Sequence, residues 1–454
     1  MSDGTFPGHT RGSSSPLYRR PTSHLKARRQ SSRPWQISIR MWGGEFMSAQ
    51  HQQVGGPAVY SGPIFDADTH FWETDDAWTK YLPKDAAEKY GVTFKTGTDG
   101  DYAMYVGPRK VEISADHLFE DGRVPAPGKL HEWLRAMKEG KAEIDMHVDK
   151  TPDMLEPAAR VKLLDSWDVR SSILFIGNMI TAISFLDDPT YAYPVLNAYN
   201  AWMYDQWKYN YNDRIFSCPI MTLDNVEEAC KALKQVIAKG AKLILMPMGP
   251  YNNKAPAHPD HDPFWAIANE AGIRVVFHVS EAIYMKDHMA LWGEGMQQSR
   301  IRQSAFVWMH GYSERPVIET LSSFIFWNFF ERFPNVKLLS AENGAEWVPS
   351  MLVKMDKCRG IAKNGYWPAG QLKDRPSRIF ARHVGVVAYP EDDLKSIVDQ
   401  VGNADWVMMG SDYPHAEGVE QPRIFADEAC RGLSDADTRK VMYENGMRFM
   451  GLSV

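Results

Sequence analysis

From residue 57 onward, short apolar runs alternate with stretches whose apolar residues recur at helical spacing. Apolar runs of a few residues bounded by turn formers read as buried strands, and apolar positions three and four apart read as helix faces. The strands predicted are 64–70, Ile173–Gly177, Ile215–Met221, Lys242–Pro247, Arg274–Ser280, Val336–Glu342, Val384–Ala388 and Trp406–Asp412. Helices are expected over 158–168, 191–207, 225–239, 262–271, 315–332, 346–358, 391–401 and 434–448. Strand followed by helix, eight times over, predicts an α/β fold of the (β/α)8 TIM-barrel type, with insertions. No internal repeat of about 20–50 residues competes with this reading.

Three stretches break the pattern. Residues 1–56 are rich in Ser, Arg, Gly and Pro and lack apolar periodicity, so a disordered basic N-terminal extension is expected before a barrel domain over 57–454. An organellar transit peptide and a basic tail for nucleic acid or membrane are two origins for it. The preferred one is an over-long start, with translation beginning at Met47, because the upstream stretch has no amphipathic face. Residues 78–157 separate the first strand from its helix and read as an insertion. They include a predicted hairpin of Val92–Phe94 with Tyr102–Val106 through Thr98-Asp99-Gly100. Insertions after barrel strands border the active-site mouth, so this one is a candidate lid; the connection 281–315 would border the same opening.

Composition narrows the function classes. With 44% hydrophobic and 24% charged residues, the chain reads as a soluble globular protein. No apolar run approaches the roughly 18–20 residues of a membrane span. The net charge is −6, and the first 56 residues carry eight basic side chains against two acidic ones, so the body carries −6 − 6 = −12. An acidic body argues against nucleic acid as a partner. Cys218, Cys230, Cys358 and Cys430 are scattered without zinc-finger or disulfide spacing, which fits a reducing, cytoplasmic compartment.

Barrel enzymes place their chemistry at the C-terminal ends of strands. The first predicted strand reads Ile-Phe-Asp-Ala-Asp-Thr-His, so Asp66, Asp68 and His70 share one face. The fifth ends in His278, the sixth in Glu342, and the eighth in Asp412, with His415 three residues on. Each alone has a plain explanation. A lone strand-end His is more often a hydrogen-bonded loop residue, an Asp before Tyr-Pro a turn former, and Glu342 a helix-capping acid. Asp66, deeper in its strand, reads as structural. Together, buried carboxylates and imidazoles on converging strand ends call for a cation.

These residues resemble a known family. Asp-Ala-Asp-Thr-His at 66–70, His278 and Gly-Ser-Asp-Tyr-Pro-His at 410–415 look like the amidohydrolase superfamily. The nearest branch includes aminocarboxymuconate-semialdehyde decarboxylase and the resorcylate-type decarboxylases. Blocks at 160–169, 173–176, 262–265 and 340–349 add to the similarity, which runs from about residue 64 to the C-terminus apart from much of the insertion. The resemblance implies a metal-dependent barrel in which Asp68, His70, His278 and Asp412 hold one divalent ion. Zn²⁺ is the first choice, with Mn²⁺ or another ion as the alternative. Two departures stand out. Asp68 replaces the first His of the usual first-strand pair, and Glu342 replaces a sixth-strand His, which speaks against a two-metal site.

The activity expected on this resemblance is non-oxidative decarboxylation of a small aromatic or unsaturated carboxylic acid, with Asp412 carrying the proton. The alternatives are hydrolysis of a C–N, C–O or C–C bond at the same site, and a non-catalytic barrel used for binding or scaffolding. Glu342, Arg302, His310, His415 and Trp72 are candidates for substrate contact, each with an equal reading as a loop or wall residue. A homodimer is usual for this kind of barrel.

Overall fold

Parallel pairing links strands that are apolar on both faces, the pattern of a sheet covered by helices. The computed structural model describes residues 60–97, 102–111, 122–140, 145–177, 189–280, 284–295, 304–311 and 314–454. The expected disordered extension, the turn at Thr98-Asp99-Gly100 and Arg302 lie outside the described residues.

The strands are β1 (Ile64–His70), β2 (Val92–Thr96), β3 (Tyr102–Val106), β4 (Arg109–Val111), β5 (Arg123–Pro125), β6 (His147–Asp149), β7 (Val169–Phe175), β8 (Asn210–Tyr211), β9 (Ile215–Ser217), β10 (Leu243–Leu245), β11 (Arg274–His278), β12 (Lys337–Ala341), β13 (Val384–Val387) and β14 (Val407–Met408). One sheet runs β1-β7-β9-β8 and another β10-β11-β12-β13-β14. Every pairing in them is parallel except the short β8 against β9. The two sheets touch through single parallel bridges, Ile220 to Leu245 and Thr69 to Tyr413. Their ladders do not merge, so the expected closed ring is replaced by two adjoining parallel sheets in a TIM-barrel-like arrangement.

Local chemistry explains both gaps. Beyond β9 comes Pro219, which has no N–H to offer the ladder; its carbonyl accepts from Leu245 N at 2.9 Å. Beyond β14, the Ser411 N–H turns to the Asp66 side chain at 2.9 Å instead of to a strand carbonyl. The predicted strands Ile215–Met221 and Trp406–Asp412 are shortened accordingly.

The helices between strands bury one face. In Val226–Ala238, Ala229, Ala232, Leu233 and Val236 are buried, and the Asn225 side chain caps the first turn by accepting from Glu228 N. The predicted helix 315–332 is broken at Asn328, whose φ of 50° is left-handed, into Arg315–Phe326 and Phe329–Arg332. The predicted helix 434–448 becomes Asp435–Arg439, a π-helical turn Lys440–Glu444 and Asn445–Met450. A helix at Pro376–His383 has no predicted counterpart; Pro376, Ile379 and Phe380 are buried in it, a single turn of apolar face at helical spacing that the sequence reading passed over. Within 78–157, β2, β3 and β4 form an antiparallel sheet and β5 pairs with β6. Among the described residues, no helix is long and apolar enough to cross a membrane.

β1 is buried along its whole length. Phe65 packs so closely on Gly446 that a Cβ there would sit 2.1 Å from its ring. Asp66 is buried and accepts from Ser411 N at 2.9 Å and Asp68 N at 3.3 Å. Burial, against the pull of the Ser411 hydrogen bonds, pushes its carboxyl up from 3.8 to about 7. The folded chain therefore keeps this proton to near neutrality while the unfolded chain loses it near pH 4. Stability from this group is present at low pH and is lost as pH rises through about 7. Asp66→Ala should cost roughly 1–3 kcal/mol by orphaning a buried N–H. Asp66→Asn should keep the Ser411 bond and gain on wild type between pH 5 and 9. Urea unfolding across that range checks both; equal stability of the Ala and Asn variants would contradict the assignment.

Candidate metal centre

The ends of β1 and β11, and the residues that follow β12 and β14, bring six ligand-type side chains together. His70 Nε2 lies 3.2 Å from Asp68 Oδ1 and 3.1 Å from Asp412 Oδ1. His278 Nε2 lies 3.6 Å from Asp68 Oδ1 and 3.1 Å from Glu342 Oε2. Two overlapping groups of ligand atoms result, Asp68-His70-His278-Glu342 and His70-Glu342-Asp412-His415, each within 4.8 Å. Both use His70 Nε2, and one imidazole nitrogen serves one cation, so they are alternatives around a single ion.

The residues fit such an ion. Asp68 Oδ1, His70 Nε2, His278 Nε2 and Asp412 Oδ1 are buried without a hydrogen-bond partner, which costs free energy unless something positive meets them. The spacings of 3.1–3.6 Å match ligand pairs on one cation, about 3.3 Å apart for tetrahedral bonds near 2.0–2.1 Å. Both imidazoles are pre-oriented from behind: His70 Nδ1–H donates to the Ile176 carbonyl at 2.6 Å and His278 Nδ1–H to the Val279 carbonyl at 3.0 Å. Each ring thus turns its Nε2 inward, the arrangement metal-binding histidines favour.

Backbone devices aim the acids. Glu342 and Asp412 adopt left-handed φ values of 51° and 57°, a strained choice for residues with a Cβ. Tyr389 O–H donates to the Glu342 carbonyl at 2.8 Å, and Asp412 N–H donates to the Asp68 carbonyl at 2.8 Å. Gly410 lets the chains approach: a Cβ there would stand 2.5 Å from Asp68 Cβ and from Val387. Behind β1, the buried Arg160 donates from Nη2 to the His70 carbonyl at 2.6 Å and from Nε to the Asp153 carbonyl at 2.9 Å. Tyr413 O–H donates to the Asp153 carboxylate at 2.8 Å, and the guanidinium lies 5.1 Å from the Tyr413 ring.

Of the substrate-contact candidates, the structure brings three to the centre. Glu342 faces His278. The His415 ring stacks on His70 at 3.9 Å, with Nδ1 2.9 Å from Asp412 Oδ1. Trp72 lies 5.5 Å from the His415 ring. His310 instead packs on Phe306, 4.7 Å away, in the helix Ala305–Gly311. A cavity of about 450 Å³ opens from Asp68, Glu342 and Asp412 towards Tyr389, Glu391 and His131, within the roughly 300–1,000 Å³ of small-molecule sites. Sequence reasoning missed Tyr389, Glu391, His131 and Arg160. Tyr389 lies just beyond β13, and inspecting that strand's end would have found it; the other three carry no local signal.

Electrostatics sort the acids. Burial alone would push Asp68 and Asp412 up. The close imidazoles of His278 and His70 outweigh it at Asp68, and those of His415 and His70 do so at Asp412, holding both below the ordinary range. Burial pushes His70 down, yet Asp412 and Asp68 raise it well above a normal imidazole. Glu342 is raised well above the usual value by burial, then by Asp412, Asp68 and Glu417. A divalent ion must displace the proton that the two acids keep on His70, so its affinity should fall as pH falls and loading should release protons. Zn²⁺ titration by calorimetry at pH 7, in buffers of different ionisation enthalpy, should show that release; proton-neutral loading would contradict this charge balance.

The family model described as "Amidohydrolase" matches residues 65–452. No curated protein sequence matches the chain. Among solved structures, an amidohydrolase from Mycobacterium avium subsp. paratuberculosis K-10 superposes with a TM-score of 0.72 at 24% identity, covering 86% of this chain and 100% of its own. A dihydroxybenzoic acid decarboxylase from Polaromonas sp. JS666, with bound manganese and the inhibitor 2-nitroresorcinol, gives 0.55 at 13% identity, over 86% and 97%. A 5-carboxyvanillate decarboxylase from Novosphingobium aromaticivorans DSM 12444, complexed with manganese and 4-hydroxy-3-methoxy-5-nitrobenzoic acid, gives 0.52 at 14%, over 86% and 97%. These likenesses share a TIM-barrel-like α/β fold with this chain. The family match spans most of the sequence, and its Asp, His and Glu ligand atoms meet at one buried point: the chain belongs to the amidohydrolase family.

Proposed function

We propose that the protein is a single-metal carboxy-lyase that removes CO₂ from a small aromatic or unsaturated carboxylic acid without oxidation. The observation that carries the reading is the set of buried, unpaired ligand atoms opening into a cavity of about 450 Å³. The decarboxylases of like fold that hold manganese support it. In this proposal the two parallel sheets are the halves of a (β/α)8 barrel. Asp68, His70, His278 and Asp412 hold one Zn²⁺ or Mn²⁺, with Glu342 at its edge. When bound, that ion supplies Lewis-acid charge to the substrate's carboxylate and adjoining oxygen. Val387, Ala388 and Tyr389 of the cavity lining meet the substrate's ring, while His415, 2.9 Å from Asp412, and Trp72 beside it stand behind the metal ligands. Asp412, held ionised in the free site by His415 and His70, takes up one proton from water as substrate binds and delivers it to the carbon that carries the carboxylate; the C–C bond to that carboxylate breaks, its electron pair forms the new C–H bond, and CO₂ leaves. Arg160 keeps the end of β1 in place from behind. Cytoplasmic residence and a homodimer belong to the same proposal, the former supported by four free cysteines.

A second reading is hydrolysis, favoured by the likeness to the Mycobacterium amidohydrolase. There Asp412 protonates a leaving group instead of a carbon. A scaffold role leaves the four converging buried ligands without a purpose.

CO₂ release from 2,6-dihydroxybenzoate, other hydroxybenzoates and muconate-like acids separates the readings, scored beside ester and amide hydrolysis. Release of CO₂, abolished by chelation and restored by Zn²⁺ or Mn²⁺, is the expected result; hydrolysis without CO₂ would establish the second reading. Asp412→Asn should retain metal at least in part while turnover falls by roughly 10²–10⁴-fold, the scale of a lost proton carrier. Near-wild-type turnover would remove Asp412 from that role.

A further inference from the structure

We infer that the substrate's end away from the metal is uncharged or cationic, so that the cavity takes an aryl monoacid and rejects a ring diacid. This rests on the reading above for where the head group sits. Asp68, Asp412 and Glu342 line the inner end of the cavity, and Asp68 is buried with Oδ1 unpaired. The outer wall carries the exposed Glu346, Glu391 and Glu417. Among the described lining residues, the basic side chain is His131, and its Nε2 meets Glu391 Oε1 at 3.2 Å; no Lys or Arg lines this cavity among them.

The charge balance follows from chemistry. A divalent ion offsets Asp68 and Asp412 and draws in one carboxylate head group. The exposed Glu346 and Glu417 still face the rest of the substrate. A hydroxyl or amine on the far side of the ring meets hydrogen-bond acceptors there. A second carboxylate meets like charges, which cost roughly tenfold in affinity at separations of several ångströms near a protein surface. Salt screens the exposed members of the wall, so the penalty shrinks as ionic strength rises.

Two compounds form a matched pair for the test. Both 2-hydroxy-3-methoxybenzoate and 5-carboxyvanillate carry a carboxylate and a methoxy group on either side of a phenol, but only the second adds a carboxylate across the ring. Binding of each to the full-length, Mn²⁺-loaded protein is measured by calorimetry at low and high salt, in wild type and in the double variant Glu346→Gln/Glu417→Gln. Both substitutions are on exposed positions. Wild type should bind 2-hydroxy-3-methoxybenzoate at least roughly tenfold more tightly, and the double variant or high salt should narrow that ratio by roughly fivefold. Equal or tighter binding of 5-carboxyvanillate, a ratio that neither variant nor salt moves, or binding of neither compound would overturn the inference. CO₂ release from 2,6-dihydroxybenzoate is scored separately. A protein that binds in the expected order but releases no CO₂ loses the decarboxylase reading and keeps the acidic wall.

Discussion

Unpaired carboxylate oxygens and imidazole nitrogens, buried together, are the constraint on which the rest of this structure depends. Asp68, His70 and His278 are nearly sealed from water, and their inward-facing atoms have no hydrogen-bond partner. A fold that brings such groups within 3.1–3.6 Å of one another is favourable only if a cation joins them. The surrounding architecture is spent on holding that arrangement. Carbonyls of Ile176 and Val279 fix the two rings. Left-handed backbone at Glu342 and Asp412 aims the acids, and Gly410 allows the segment after β14 to press against Asp68.

The junction between β1 and β14 is the centre of this design. The backbone bonds there are interrupted at one position, where a side chain takes the donor, and resume beyond it. Asp66 takes the Ser411 N–H, Asp412 N–H takes the Asp68 carbonyl, and His70 N–H takes the Tyr413 carbonyl at 2.7 Å. The loss of strand regularity and the creation of a site are the same event. Arg160 closes the back of it by binding the His70 carbonyl, its charge buried among carbonyls and the rings of Tyr413 and Trp207.

Much of this was legible in the sequence, for physical reasons. The period of two along 64–70 puts Asp66, Asp68 and His70 on one face, and parallel strands put His278 and Asp412 at matching ends. Asp66 separates from its neighbours by depth, and the structure gives it backbone donors. What was hidden depends on distant or irregular contacts. Arg160 acts on His70 from 90 residues away, and nothing local marks it. His131 reaches the cavity from within the insertion, and its partner Glu391 from the far end of the chain. The break at Asn328 and the shortness of β14 arise from single residues that override an apolar pattern, which periodicity cannot see. Glu342, read as a replacement that argues for one ion, is found 3.1 Å from His278 at that same point.

Buried Cys218 offers a useful contrast. Burial, and then the charge of Asp68, push its thiol well above the usual value, so it stays protonated and is a poor ligand. X-ray absorption at the zinc edge of the Zn²⁺-loaded protein therefore tests the central claim directly. A nitrogen and oxygen shell at about 2.0–2.2 Å with outer-shell scattering from two imidazoles is expected, lost in part in His278→Ala. A sulfur shell near 2.3 Å, or a zinc environment without imidazole scattering, would contradict it.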